Sequence, residues 1–163
     1  MVQKIYFQSP IGIIEIQYTE KGVNSLQFVN RETTIENQSL DFLGFKITSE
    51  LENFFENGAY QIDLPLDMSA GTEFQQKVWN ALLNIPSGVT KSYRDIAIEI
   101  GQEQAAQAVG NANGQNPVLL IVPCHRIIGS NNALVGYRGE LWRKQWLLEH
   151  EGALQKSNQI KLF

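Results

Sequence analysis

The spacing of apolar residues changes near residue 70, and that change limits what the chain can become. Ile14, Ile16 and Tyr18 recur at every second residue, as on one face of a strand. Lys4-Ile5-Tyr6-Phe7 precedes them across a Ser9-Pro10-Ile11-Gly12 turn, and Lys21-Gly22 makes the next turn before residues 23–29. Three short strands joined by tight turns predict an antiparallel meander. Ile47, Leu51, Phe54 and Phe55 then share one face of a short helix, which Gly58 is expected to end. Tyr60, Ile62 and Leu64 alternate again as a strand would. Nothing in residues 1–66 looks catalytic, so this part reads as support.

Beyond a short polar link, residues 67–71, the period becomes helical. Thr72 with Gln75 is a capping-box pair, and Phe74, Val78, Leu82 and Ile85 form a stripe that Pro86-Ser87-Gly88 stops. Ser92 caps a second helix bearing Tyr93, Ile96, Ala97 and Ile100, closed by Gly101. An alanine-rich helix follows Gln102. The predicted class is α+β: a small antiparallel sheet with a helix over residues 1–66, then a mostly helical domain over 72–163 containing a helix-turn-helix.

Composition closes several alternatives. With 43% hydrophobic and 18% charged residues among 163, the chain has the balance of a globular protein, not a disordered one. The longest aliphatic run, Val118-Leu119-Leu120-Ile121-Val122, is far too short to span a bilayer, and the start lacks the apolar core of a signal peptide. Cys124 is the single cysteine, so no intramolecular disulfide can form. With two histidines beside it, a structural zinc site is poorly supplied, and we expect no metal. A reducing cytoplasm is the expected compartment.

The net charge of −4 is unevenly spread. Residues 1–70 carry four basic against ten acidic side chains, and residues 71–163 carry nine against seven. A mildly basic second part permits nucleic-acid binding without requiring it. The two helices joined at Gly101 are weak support for DNA binding by themselves. Their alanines, Ala105, Ala106 and Ala108, fit two readings: close backbone approach to a narrow groove, or packing against a neighbouring helix.

The strongest local signal is the apolar run 118–122 leading into Pro123-Cys124-His125-Arg126. Cysteine reacts as the thiolate, and a neighbouring base or positive charge lowers its pKa. On an extended segment Cys124 and His125 point to opposite faces, so a water is expected to link them. An anion behind His125 would stabilise its protonated form, and Glu151 is the candidate. His150 reads as a helix-end histidine facing solvent or the helix dipole.

Pro123-Cys124-His125-Arg126, together with residues 105–112, Asn116-Pro117, Gly136-Tyr137-Arg138-Gly139 and residues 146–152, resembles the O6-alkylguanine-DNA alkyltransferases. The match runs through residues 72–152 and is slight before them. The resemblance implies a ribonuclease-H-like first lobe and irreversible, single-turnover transfer of an alkyl group from guanine O6, and thymine O4, to Cys124. It further implies that His125 is a base acting through water, that Glu151 completes the network, and that Asn116 braces the cysteine segment. Tyr93 matches a tyrosine that helps rotate the flipped nucleotide and protonates the leaving guanine. Arg94, Gln102, Ala105, Ala106, Gln107 and Ser130 match DNA-contacting positions, and Tyr137, Arg138 and Gly139 a loop over the base. The implied partner is double-stranded DNA containing O6-alkylguanine, bound by a monomer in the minor groove without a cofactor. A non-catalytic lesion-binding protein and a small-molecule thiol hydrolase are the alternatives.

Two positions depart from the family pattern. Gln107 stands where an arginine usually enters the base stack, and Arg138 stands where a small residue is common. A neutral, shorter Gln107 forfeits a charge-assisted hydrogen bond to the duplex. Gln107→Arg is expected to tighten DNA binding by about 1–2 kcal/mol and to speed repair. Titration of lesion-bearing duplex and single-turnover kinetics check this, and unchanged values refute it.

Overall fold

A computed structural model describes residues 1–30, 35, 38–129 and 133–155. The meander forms as the spacing predicts: β1 (Gln3–Ser9), β2 (Gly12–Thr19) and β3 (Gly22–Val29) pair antiparallel in sequence order. Ile5 lies opposite Ile16, and Ile16 opposite Leu26, so one face of the sheet is buried. Gly22 has a φ of +132°, and a Cβ there would lie 2.6 Å from the Pro65 carbonyl oxygen. No other residue fits that turn.

Each outer edge of the sheet is met at particular residues. On β1, the Gln38 amide accepts from Tyr6 N–H and donates to the Tyr6 carbonyl, both at 2.8 Å. On β3, Val23 pairs in parallel with Leu66, and Leu26 with Val118. Leu26 N–H donates to the Pro117 carbonyl and its own carbonyl accepts from Leu119 N–H, each at 3.0 Å. The sheet therefore fixes the start of the segment that leads to Cys124.

Helix α1 (Phe42–Glu56) buries Ile47, Leu51 and Phe54 against the sheet, and Asp41 caps it by accepting from Gly44 N–H. Two expectations change here. The helix ends at Asn57 in an extended conformation, and Gly58 serves a close approach: a Cβ would lie 2.0 Å from the His150 carbonyl oxygen. Residues 60–64 make no ladder. Buried Glu50 takes their polar groups instead, accepting from the Tyr60 hydroxyl and from Asp63 N–H.

Helix α2 (Glu73–Leu83) starts with the Thr72–Gln75 capping box, and Trp79 Nε1 donates to the Ala112 carbonyl at 2.9 Å. Helix α3 (Tyr93–Glu99) is capped by Ser92, with Asp95 completing a second box. After Gly101, at φ +77°, a 3-10 turn at Glu103–Ala105 precedes α4 (Ala106–Gly114), so the alanine-rich helix begins later than its composition suggests. Helix α5 (Leu141–His150) closes the order. One continuous core joins Ile14, Leu26 and Leu51 to Leu82, Val109, Val122 and Leu147. Among the described residues no helix is long and apolar enough to cross a membrane.

Because the His150–Glu151 backbone occupies the space beside Gly58, the added methyl of Gly58→Ala has nowhere to go. The variant is expected to lose about 1–3 kcal/mol, the range for overpacking a filled site. Urea unfolding measures it, and an unchanged midpoint would show that the two segments separate freely.

Candidate functional site

The cysteine segment is fixed before it reaches Cys124. Fully buried Asn116 donates from Nδ2 to the Val122 carbonyl and accepts from Val118 N–H at Oδ1, each at 2.9 Å. One side chain thus ties both ends of a tight loop in which Leu120 adopts φ +72°. A residue other than glycine pays strain there, which the surrounding core holds in place. From Pro123 the chain does not stay extended. Cys124–Arg126 is a 3-10 turn, and successive side chains fan around it at three residues per turn. The expectation of opposite faces for Cys124 and His125 is therefore replaced by divergence around a turn.

That turn delivers His125 to Glu151. The imidazole Nε2 lies 2.9 Å from Glu151 Oε2, with both side chains fully buried. Arg126 then adds a bidentate contact, Nε to Oε1 at 3.0 Å and Nη2 to Oε2 at 2.7 Å, while Nη1 donates to the Ile85 carbonyl. The sequence suggested Arg126 as a charge beside the thiol; its guanidinium instead serves Glu151. Burial alone would raise the Glu151 pKa, but the His125 and Arg126 contacts outweigh it and hold the carboxyl at about 2. His125 Nδ1 is buried and makes no hydrogen bond among the described residues.

Cys124, 3% exposed, lines a cavity of about 320 Å³ with Tyr93, Asn113, Leu119, Tyr137 and Arg138. Burial pushes the thiol pKa up, while the Asn116 hydrogen bond and the charges of Lys144 and Arg138 pull it down. Burial likewise raises the Tyr93 pKa, with the nearby Cys124 adding to it. Gly110 in α4 faces the Tyr93 ring, where a Cβ would lie 3.6 Å away. Tyr137 and His125 meet edge to face, with ring centroids 6.3 Å apart, and the buried Tyr137 hydroxyl has no partner among the described residues. A larger cavity, about 470 Å³ between Tyr60 and Ile85, touches the charge network at Arg126 but does not reach Cys124. The chemistry therefore belongs to the smaller one.

Basic side chains secure the loop beside that cavity. Arg138 Nη1 donates to the Asn116 carbonyl at 3.0 Å. Arg143 donates to the carbonyls of Ile11 and Gly139 and stacks on Phe28 at 4.6 Å, tying the loop to the sheet. Fully buried Lys144 donates to the Val135 carbonyl at 2.6 Å, and burial lowers its pKa to about 8. The sequence reading missed Lys144 and Arg143. Lys144 shares the buried face of α5 with Leu147 and Leu148, a spacing that could have marked it.

The helix-turn-helix residues lie outside this cluster. Arg94 pairs with Glu103 at 2.8 Å on the surface; Gln102 and Gln107 are exposed, and Ala105 and Ala106 half-buried. Ala108 is exposed, which rules out packing against a neighbouring helix at that position. Ser130 lies outside the described residues. His150 departs from the solvent-facing expectation: Nε2 bonds the Phe54 carbonyl at 2.7 Å and the ring stacks on Trp146 at 4.7 Å, docking α5 onto α1.

A helix pair joined at Gly101, set against a cavity lined by a buried cysteine whose chain neighbour is held by Glu151, defines a cysteine-based site beside a helix-turn-helix. The family described as 6-O-methylguanine DNA methyltransferase, DNA binding domain, matches residues 73–153. A methylated-DNA–protein-cysteine methyltransferase of Methanosarcina acetivorans is 41% identical over 152 residues, covering 90% of this chain and 96% of its own. The crystal structure of Mycobacterium tuberculosis O6-methylguanine methyltransferase superposes with a TM-score of 0.80 at 40% identity, covering 97% of each chain. The M. tuberculosis protein crystallised with DNA gives the same TM-score at 39% identity over 91% of each chain. This chain belongs to the methylated-DNA–protein-cysteine methyltransferase family.

The depressed pKa of Glu151 sets an acid limit. Its contribution to stability is complete above the unfolded value of 4.5 and is lost as pH falls from there through about 2. Glu151→Gln is expected to cost on the order of 3 kcal/mol at pH 7, with the gap to the parent narrowing at pH 3. Urea unfolding at the two pH values checks the sign; a gap that widens in acid refutes it.

Proposed function

We propose that the protein repairs DNA by taking the alkyl group from guanine O6, and from thymine O4, onto its own Cys124. The cavity beside Cys124 carries this reading, because it opens between Tyr93 of the helix-turn-helix and the 137–139 loop. An O6 substituent inside a stacked duplex is out of reach of a buried thiol, so the nucleotide must rotate out into that cavity. Flipping costs a few kcal/mol, less for a lesion already poorly paired. In this reading residues 72–163 form the acting domain and residues 1–66 its support. Gln102, Ala105, Ala106, Gln107 and Arg94 meet the minor groove, where short side chains let the helix approach closely. The protein works as a monomer, and its unpaired thiol suits a reducing cytoplasm.

The chemistry follows from the assigned roles. His125, held by Glu151, removes the thiol proton through a water at Nδ1. The Cys124 sulfur attacks the alkyl carbon, the carbon–O6 bond breaks, and its electron pair passes to the guanine. Tyr93 supplies the proton that spares the leaving group an anionic form, and such acid help is worth about 10²–10⁴ in rate. Asn116 holds the sulfur in line. Tyr137, Arg138 and Gly139 close over the base. The thioether has no route back, so each molecule acts once.

Intact mass after mixing with excess duplex bearing one O6-methylguanine tests this. The expected result is a gain of one methyl group, mapped to Cys124 and absent in Cys124→Ser. Binding without mass gain would make the protein a lesion sensor, and neither would reopen a small-molecule thiol enzyme.

A further inference from the structure

The cavity beside Cys124 is chemically lopsided. Tyr93, Asn113, Leu119 and Tyr137 line it without charge, and Arg138 is the one ionic side chain among its lining residues. No carboxylate is among its described lining residues, and Glu151 is committed to His125 and Arg126. The Arg138 guanidinium is held at one point, Nη1 on the Asn116 carbonyl, and among the described residues it has no other partner. A guanidinium carries five N–H donors in a planar fork that matches a carboxylate. Arg138, an exposed residue tethered at Nη1, therefore brings a positive charge with spare donors to the cavity that Cys124 lines, and a methyl group cannot engage those donors.

Resting on the alkyl-transfer reading above, we propose that Arg138 makes this protein selective for O6-guanine adducts that end in a carboxylate, O6-carboxymethylguanine being the smallest. The carboxylate pairs with the free donors of Arg138 while the adjacent methylene faces the sulfur. The Cys124 sulfur bonds to that methylene, the carbon–O6 bond breaks, its electron pair leaves with the guanine, which takes up a proton, and S-carboxymethylcysteine remains. Arg138 acts here as a specificity determinant. The same guanidinium chemistry would also suit a backbone phosphate of the rotated nucleotide, and the two sources predict different results.

The test compares single-turnover rates on duplexes carrying O6-methyl-, O6-carboxymethyl- and O6-carbamoylmethylguanine. The last is the neutral amide of the same size. The parent protein is expected to favour carboxymethyl over carbamoylmethyl by about tenfold, as a charge-assisted pair gives. Arg138→Gln should bring that ratio to about one or below, and Arg138→Lys should restore part of it. Using the ratio cancels any change in thiolate fraction, since both substrates meet the same sulfur. A parent ratio near one, or a ratio that Arg138→Gln leaves unchanged, overturns the proposal. So does an equal fall on all three substrates with weaker, less salt-dependent DNA binding, which would assign Arg138 to a phosphate. Failure of the alkyl-transfer reading is distinct: then no duplex, the methyl one included, adds mass to Cys124.

Discussion

The Glu151 carboxylate, buried at the end of α5, is the contact on which the rest of this molecule depends. Two partners meet at it, His125 and the bidentate Arg126, and Arg126 in turn holds the Ile85 carbonyl just beyond α2. Removing the acid would leave a buried guanidinium unpaired, which is why such networks cost much to break though little is gained over an apolar core. What the network supplies here is position. It fixes the turn that carries Cys124 relative to α2 and α5, so the thiol, the imidazole and the cavity wall keep one geometry.

A second constraint acts from the opposite side. Asn116 spans the loop before Pro123, and the edge of β3 grips Val118 and Leu119. The cysteine segment is therefore suspended between a charge network at its far end and a sheet edge at its near end. The first lobe contributes no reactive group, yet through Leu26 and through Arg143 on Ile11 and Gly139 it sets where the cavity walls stand. Support, in this fold, means geometry delivered over a distance by backbone hydrogen bonds.

Much of this was legible in the residues. The meander, the helix of Ile47, Leu51 and Phe54, and the Thr72 capping box follow from period and cap chemistry, which are local properties. The family motif identified Cys124, His125, Asn116 and Glu151 as one group, and the geometry brings His125 and Glu151 into contact. What could not be read is what depends on tertiary approach. Gly58 looked like a helix stop and is a contact site; Tyr60 to Leu64 alternate like a strand but are satisfied by Glu50 instead of a ladder. His150 and Lys144 carry polar ends that sequence logic sends to solvent, yet a carbonyl waits for each, on Phe54 and Val135. Arg126 sits two residues from the cysteine in the chain, yet its guanidinium is taken up by Glu151 and the Ile85 carbonyl.

The small sheet has a property unrelated to its catalytic neighbour. A three-stranded meander ordinarily presents two rows of unsatisfied backbone groups, each a template on which another chain can add a strand. Here the Gln38 amide imitates a neighbouring strand at Tyr6 on one side, and Leu66 and Val118 take the other. Contacts of this kind leave fewer free backbone groups along each edge for another chain to pair with.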